Sequence, residues 1–257
     1  MMGGNSRVRT AVFALMVLVS ERAYSQANVR DSAVAGVLFS TGLALQWPVG
    51  ELSESYGFNF DLGLDVHYKT RSNWLIGAGG SFLFGDEVKR SAGLFRLLET
   101  SNGQVLDLSG NYAGIKVFER GYTATVQVGK IFNRWGHNPN SGLAVIVGAG
   151  WMQHRTRIES SNALPQLSGD FLAGYDQLRM GPVLRQYIGY FHAGNTRTLN
   201  FSVGLDLVQG FTENVRVWDY STNQPMPERA LDILVGLKFV WFLPVYSDSG
   251  GGEYYYH

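Results

Sequence analysis

The chain of 257 residues contains no cysteine, and its charge is balanced, with 21 basic and 21 acidic residues. Without cysteine it can form no disulfide and can carry no lipid anchor on a cysteine side chain. The balanced charge gives no reason to expect nucleic acid or an anionic surface as a partner. No segment after Ser25 approaches the roughly 20 consecutive apolar residues of a membrane-spanning helix.

Residues 1–25 have the pattern of a secretory signal peptide. Arg7 and Arg9 precede an apolar run over residues 11–19, and a segment of small residues ends at Ser25. The run of about nine residues is too short to span a membrane as a helix. We therefore expect export through the general secretory route, with cleavage between Ser25 and Gln26.

Apolar and polar side chains alternate along the remaining sequence, most clearly over residues 55–69. A period of two over this length indicates a long β-strand with one apolar face. The other face carries Asp61, Asp65, His67 and Lys69, which do not fit a dry core. An apolar face toward lipid and a polar face toward a lumen is typical of a transmembrane β-barrel.

The same alternation recurs along the chain. The eight predicted strands cover residues 35–47, 55–69, 74–84, 122–132, 143–154, 179–192, 199–207 and 231–241. The fourth strand can extend upstream over residues 112–120, and Pro182, Arg185 and Gln186 leave the facing of the sixth ambiguous. Short and long connections alternate, as between periplasmic turns and outer loops. The sequence predicts an all-β, eight-stranded antiparallel up-and-down transmembrane β-barrel at 26–246 and a flexible periplasmic tail at 247–257.

Aromatic residues fall at both ends of the predicted lipid-facing surface, as in the interfacial girdles of membrane barrels. The predicted girdle residues are Trp47, Tyr56 and Trp151 at the outer rim and Tyr68, Trp74 and Trp241 at the inner rim. This architecture resembles the small eight-stranded outer-membrane barrels of the OmpA/OmpX type. The glutamine after the proposed cleavage site and the aromatic-rich barrel also resemble outer-membrane proteins of the Bacteroidota. The resemblance implies a monomeric barrel with outer-membrane lipid as a partner.

A lumen of eight strands is filled by side chains, which predicts a plug and not a pore. The predicted lumen network comprises Asn59, Asp61, Asp65, His67, Gln127, His154, Asp206, Asp232 and Lys238. These groups are expected to satisfy one another, because a half-satisfied buried network is unfavourable. In the third connection, residues 88–99 predict a short amphipathic helix at the rim, either on the lipid surface or against a partner.

An enzyme site is the alternative interpretation of the polar residues. Similarity to small barrels that modify lipid A implies a histidine, a serine and an acidic residue at the outer rim, and the candidates are His154, Glu159 and Ser160 or Ser161. Arg155 and Thr156 follow the histidine, so the short His-x-Ser spacing is absent and no enzyme is expected. The five histidines are scattered without the spacing of a metal site, and no cofactor is expected.

These observations predict a non-enzymatic structural or interaction component of the cell envelope. It would present its outer loops and its periplasmic tail to an envelope protein partner, with the tyrosines at 254–256 as a possible contact. A lipid-modifying enzyme with a site near His154 stays the alternative. A narrow channel is disfavoured by the size of the lumen.

Overall fold

A computed structural model describes residues 32–161, 164–195, 199–226 and 229–246. The predicted signal peptide at 1–25 and the predicted tail at 247–257 lie outside the described residues. Within those ranges, eight strands close into one antiparallel barrel in which each strand pairs with its neighbours in sequence and the first pairs with the last. The strands are β1 (Gly36–Val49), β2 (Asn59–Lys69), β3 (Trp74–Gly85), β4 (Ile115–Phe132), β5 (Gly142–Ser160), β6 (Arg179–Ala193), β7 (Asn200–Asn214) and β8 (Arg229–Tyr246). The predicted all-β, eight-stranded up-and-down barrel is confirmed.

The two ends of the barrel differ in the length of their connections. One end, here called the cap end, carries the connections 50–58, 86–114, 161–178 and 215–228, and the other, the turn end, carries 70–73, 133–141 and 194–199. Short helices α1 (Leu52–Ser55) and α2 (Ser91–Leu94) belong to the cap end. At the turn end, Asn73 has a φ of 64°, a left-handed conformation that asparagine tolerates in tight turns.

The outward face of the barrel is a belt of exposed apolar side chains. Leu64 is 69% exposed and Val126 is 67% exposed, although both lie in the middle of their strands. An apolar surface of this size is unfavourable in contact with water. It is typical of barrel strands that face lipid. Among the described residues, no helix is long and apolar enough to cross a membrane.

Aromatic rings border this belt at the cap end. Neighbouring rings lie 4.9 to 5.9 Å apart, centroid to centroid, along a row across β1 to β4. The row consists of Trp47, Phe58, Phe60, Phe84, Phe82 and Tyr122. Of the six residues predicted for the girdles, five lie exposed on the outward face: Trp47, Tyr68, Trp74, Trp151 and Trp241.

Tyr56 is the exception, and its assignment to a girdle is wrong. Its side chain is 3% exposed and packs beneath the cap, with its hydroxyl 2.7 Å from Thr156 Oγ1 and its ring edge-on to His154. The apolar alternation of the sequence runs on through residue 56, but the chain has already left the barrel wall there. Tyr56 pairs instead with Val88 of the cap, so β2 begins at Asn59 and not at residue 55.

The lumen consists of alternating polar and apolar layers. The sequence predicted only the polar residues among them. Successive inward residues of β8 are Asp232, Leu234, Lys238 and Phe242, with smaller residues between them. Because inward residues step along the barrel axis, the lumen passes from the cap end through a polar, an apolar, a charged and a second apolar layer. β6 repeats this order with Arg179, Val183, Arg185, Tyr187 and Phe191, and thereby settles the facing of the sixth strand.

The second apolar layer closes the turn end. Phe191 and Phe242 stack with ring centroids 4.3 Å apart, within a cluster that also contains Leu38, Leu75, Ile131, Ala144, Tyr187 and Ala193. Below it, the Lys69 ammonium donates hydrogen bonds to Val34 O at 2.9 Å and to Asn140 Oδ1 at 2.8 Å. Asn140 also donates to Ser32 O at 2.8 Å. The chain that enters β1 is thereby tied across this end of the barrel.

The cap has an apolar core of its own. It comprises Leu94, Phe95, Val105, Leu164, Leu167 and Tyr175 from two of the long connections. The sequence predicted an amphipathic helix over 88–99. This range is too long, because α2 covers only Ser91–Leu94. Leu94 and Phe95 are buried in this core and do not face lipid, since the other connection supplies apolar partners for them.

Candidate functional site

The charged layer of the lumen is organised around Arg185. Its guanidinium binds both carboxylate oxygens of Asp206, with Nε–Oδ1 at 2.9 Å and NH2–Oδ2 at 2.8 Å, and donates to Asp61 Oδ1 at 2.7 Å. NH1 also donates to Ser81 Oγ at 3.2 Å. Gly148 lies opposite Arg185 on β5, and a side chain at this position would crowd Gln127 and Thr125 of the neighbouring strand β4. A buried charge needs such partners, and this arrangement provides them.

A second group of polar side chains lies one step toward the turn end. Lys238 Nζ is 3.5 Å from Asp65 Oδ2, and Gln127 donates to Asp65 Oδ1 at 2.8 Å. His67 Nε2 is 2.9 Å from Gln127 Oε1. An internal cavity of about 50 Å³ lies beside these groups and is bounded by Phe191 and Phe242. It can hold a few water molecules, at roughly 10–15 Å³ each, and no larger ligand.

A third polar layer lies at the cap end of the lumen. His154 Nε2 is 2.9 Å from Asp232 Oδ2, and Asp232 also accepts hydrogen bonds from Arg179 NH1 at 3.2 Å and from Thr212. Asn59 donates to Glu119 Oε2 at 2.9 Å. Gly85 lies between Asn59 and β4, and its missing side chain lets this contact form across β3. The layer is covered by Tyr56, Leu52 and Val88.

The structure therefore places every predicted lumen residue inside the barrel, in three separate groups. Arg185, which links two of the predicted carboxylates, is absent from the predicted lumen network. The sequence contains a signal for it, because the predicted lumen network has four carboxylates, those of Asp61, Asp65, Asp206 and Asp232, and only one lysine or arginine side chain, that of Lys238. Arg185 was the basic residue at the centre of the one strand whose facing was ambiguous.

The candidate catalytic residues are not brought together. His154 is 2% exposed and faces the lumen, where its ring nitrogen Nδ1 contacts no hydroxyl group of the described residues. Glu159 is exposed on the outward face and pairs with Arg157 at 2.8 Å. Ser160 lies about 20 Å further along β5 at ~3.3 Å per residue, and Ser161 Oγ accepts a hydrogen bond from Gly114 N. The proposed His, Ser and acid constellation is wrong, because its members lie at different depths of the barrel.

The cap contains an open polar pocket of about 230 Å³. Its walls come from three of the long connections and from the rims of β6 and β7: Arg90, Gln177, Arg179, Asn214, Asp219, Thr222, Gln224, Pro225 and Met226. Two of these connections are joined by a two-point ion pair, in which Arg216 donates to Asp176 at 2.9 and 2.7 Å. These hydrogen bonds raise the pKa of Arg216, and burial in the cap core raises the pKa of Tyr175. The pocket is thus built on an ordered cap.

Metal binding finds no support in the part of the chain that the structure describes. No group of three or more histidine, aspartate or glutamate side chains is arranged there to hold a metal ion. His137 and His192 stack at 4.4 Å at the turn end, but their rings are parallel and do not converge on a common point. Nor do the three lumen groups provide a site for a cofactor, because side chains fill the space between them.

A closed eight-stranded barrel with an apolar outer belt, a filled lumen and an ordered cap defines the class of small β-barrels with long connections at one end. The chain is similar to solved outer-membrane barrels of this class. Ail, the attachment invasion locus protein of Yersinia pestis, is 8% identical, with a TM-score of 0.43, over 80% of this chain and 97% of that one.

Two further solved barrels are similar to most of the chain at low sequence identity. Neisserial surface protein A is 10% identical, with a TM-score of 0.42, over 82% of this chain and 97% of its own. The N-terminal β-barrel domain of Pseudomonas aeruginosa OprF is 10% identical, with a TM-score of 0.36, over 81% of this chain and 99% of that domain. No family model and no curated protein matches the sequence.

Proposed function

We propose that the protein is a non-enzymatic component of the outer membrane that presents its cap to partners at the cell surface. The observation that carries this proposal is the cap itself. Two long connections, 86–114 and 161–178, fold together around a buried core above a barrel whose lumen is closed by side chains. A barrel that only had to span a membrane would not need this ordered structure at one end.

The surface of the cap is more apolar than a solvated loop requires. Val217 is 82% exposed, Leu108 is 75% exposed and Phe171 is 62% exposed. Large contiguous patches of exposed apolar groups mark interaction sites, and we take these three residues as candidate members of such a patch. The polar pocket beside Arg90 and Arg179 adds hydrogen-bond donors to the same end of the molecule. Together these features support a role in binding.

Transport and catalysis are less well supported. The turn end is closed by the Phe191–Phe242 layer, and the cap end by Leu52, Tyr56 and Val88. The His154–Asp232 pair lies beneath that cover, where a lipid substrate would have to displace packed side chains to reach it. In the described part of the barrel wall, every strand is paired on both sides and offers no edge for pairing with a second copy, which supports a monomeric barrel.

Location is tested first. The protein is expected in the outer-membrane fraction, with Gln26 as the first residue of the mature chain, and its migration on a gel should change on boiling because a closed barrel resists detergent. Recovery as a soluble periplasmic protein with unchanged migration would contradict the proposal. The segment 247–257 is a second proposed contact, on the periplasmic side.

The role of the cap is tested by photo-crosslinking in intact cells. A photoreactive residue at Val217 or Leu108 should give a discrete adduct with one recurrent protein. The same residue at Leu64, which is 69% exposed but lies in the apolar belt, is the matched control and should give only lipid adducts. Identical adducts from cap and belt, or none from the cap, would contradict a binding role for the cap.

A further inference from the structure

β4 and β5 continue beyond the apolar belt, and their two faces reverse character there. Near the cap end the inward residues of this ribbon are apolar, such as Val117 and Ile158, because they pack against the cap core. The outward residues are mostly charged: Lys116, Arg120, Arg155 and Arg157 are basic, Glu159 is acidic and Phe118 is aromatic. Arg120 lies two residues beyond Tyr122 of the aromatic row, about 7 Å further out at ~3.3 Å per residue.

Two of these basic residues are direct neighbours. Arg120 and Arg155 lie opposite each other in the register of β4 and β5, and both point outward. Cβ atoms of directly opposed residues are about 4.5–5.5 Å apart, and like charges at this spacing are destabilising. The pair, here called the arginine pair, therefore places two basic side chains on neighbouring strands at the same height of the barrel, with Arg120 directed toward Gly85 of β3 and Arg155 toward Asp176 of the cap.

The described residues provide little neutralisation for the arginine pair. Arg120 NH1 donates only to the backbone oxygens of Gly85 and Glu119, and its guanidinium lies 4.8 Å from the ring centroid of Phe118. Arg155 reaches Asp176 at 4.0 Å, but Arg216 already occupies both oxygens of that carboxylate. Arg120 has no carboxylate partner among the described residues.

The rim of β7 and β8 is arranged differently. Arg229 lies directly opposite Glu213, and the two side chains form an ion pair with Nε–Oε1 at 3.1 Å. Both are highly exposed on the outward face. The barrel thus pairs opposite charges at one rim and equal charges at another. An anion from outside the chain would remove the imbalance at β4 and β5.

We propose that the arginine pair binds the phosphate of an anionic lipid headgroup in the outer leaflet of the membrane. The proposal rests on the proposed function, because it requires the aromatic row to lie at the membrane interface. Two guanidinium groups offer planar, two-point donors that match phosphate oxygens. Lys116 adds positive charge to the same surface, whereas Arg157 is paired with Glu159. Inorganic phosphate has the same chemistry, and the experiment distinguishes the two sources.

The full mature chain is reconstituted in nanodiscs of phosphatidylcholine that contain a minor fraction of diphosphoryl lipid A. After extraction in mild detergent, native mass spectrometry measures the lipid that stays bound. The wild-type protein should retain diphosphoryl lipid A. The double variant Arg120→Gln/Arg155→Gln should retain less of it, by a factor of roughly ten or more. Arg229→Gln is the matched control, since it also removes an outward rim arginine, and it should behave like the wild type.

Equal retention by the double variant and the wild type would overturn the proposal. So would an equal loss in Arg229→Gln, because the effect would then follow net charge and not the arginine pair. Millimolar inorganic phosphate should not displace the bound lipid. If inorganic phosphate binds the arginine pair and diphosphoryl lipid A does not, the ligand is free phosphate and the proposed lipid headgroup is wrong. A change of migration on boiling verifies that each variant is folded, and Arg155→Gln alone serves if the double variant is not. Cell fractionation reports separately on the proposed function.

Discussion

Arg185 and Asp206 form a two-point ion pair in the middle of the lumen, and the same guanidinium reaches Asp61 on the opposite wall. Asp206 is on the neighbouring strand β7, whereas Asp61 is on β2, four strands away from β6 in either direction around the barrel. All three side chains are at least nine-tenths buried. One side chain thus ties the two walls of the barrel together.

Replacement of this arginine should destabilise the barrel strongly. In Arg185→Met the apolar part of the side chain is kept, but Asp61 and Asp206 lose their cation inside the lumen. Removing one partner of a buried ion pair lowers the free energy of unfolding by about 3–5 kcal/mol. Urea-induced unfolding from lipid vesicles, followed by tryptophan fluorescence, measures this difference.

The control removes the two carboxylates as well. In the triple variant Arg185→Met/Asp61→Asn/Asp206→Asn, no buried charge is left without a partner, and most of the lost stability should return. If the triple variant is as unstable as Arg185→Met, the arginine acts through its packing and not through the ion pairs.

An arginine on the apolar belt tests the facing of the strands. Leu62 is 49% exposed near the middle of β2, and Leu62→Arg should lower the free energy of unfolding by about 2–4 kcal/mol, since it places a charge in the hydrocarbon region. Leu62→Ala is the control for loss of the leucine side chain. Vesicle unfolding curves of the two variants provide the comparison, and equal stability would show that this face does not contact lipid.

The strands could be predicted where the chain has lipid on one side and polar groups on the other. β2 is the clearest case, because Leu62, Leu64 and Val66 face outward while Asp61 and Asp65 face inward. The period of two is then visible in the sequence. In β6 the adjacent polar residues Arg185 and Gln186 lie on opposite faces, and Pro182 interrupts the ladder. The period of two is therefore lost there, and the facing could not be decided.

Two further parts of the structure gave no usable signal. The turn-end layer consists of inward apolar residues such as Leu75 and Phe242, which the sequence does not distinguish from the apolar residues of the belt. Tyr56 continues the apolar alternation of β2, but its position depends on contacts with Val88 and Thr156, which are distant in sequence. A local pattern carries no information about such long-range partners.

Adjacent glycines in β3 test the crowding of the lumen. A methyl group on Gly79, which faces inward, would overlap the Asp65 carboxylate and come within 3.0 Å of Leu64 O. On Gly80, which faces outward, it would meet only Thr123 O at 3.5 Å, an ordinary contact. Gly79→Ala should therefore reduce the yield of folded barrel, whereas Gly80→Ala should not. The fraction of heat-modifiable protein after refolding measures both, and equal yields would contradict the tight packing around Asp65.

The filled lumen predicts that the protein does not conduct ions. In planar bilayers the wild-type protein should show no steady conductance, because side chains occupy the interior of an eight-stranded barrel.

A variant in which residues 89–112 are replaced by a short glycine–serine linker removes part of the cap and tests whether the cap alone blocks the path. It should also be silent, since the Phe191–Phe242 stack and the ion pairs of Arg185 remain in place. Stable single-channel openings in the shortened variant alone would make the cap a gate over an open lumen, and openings in both proteins would contradict the filled lumen itself.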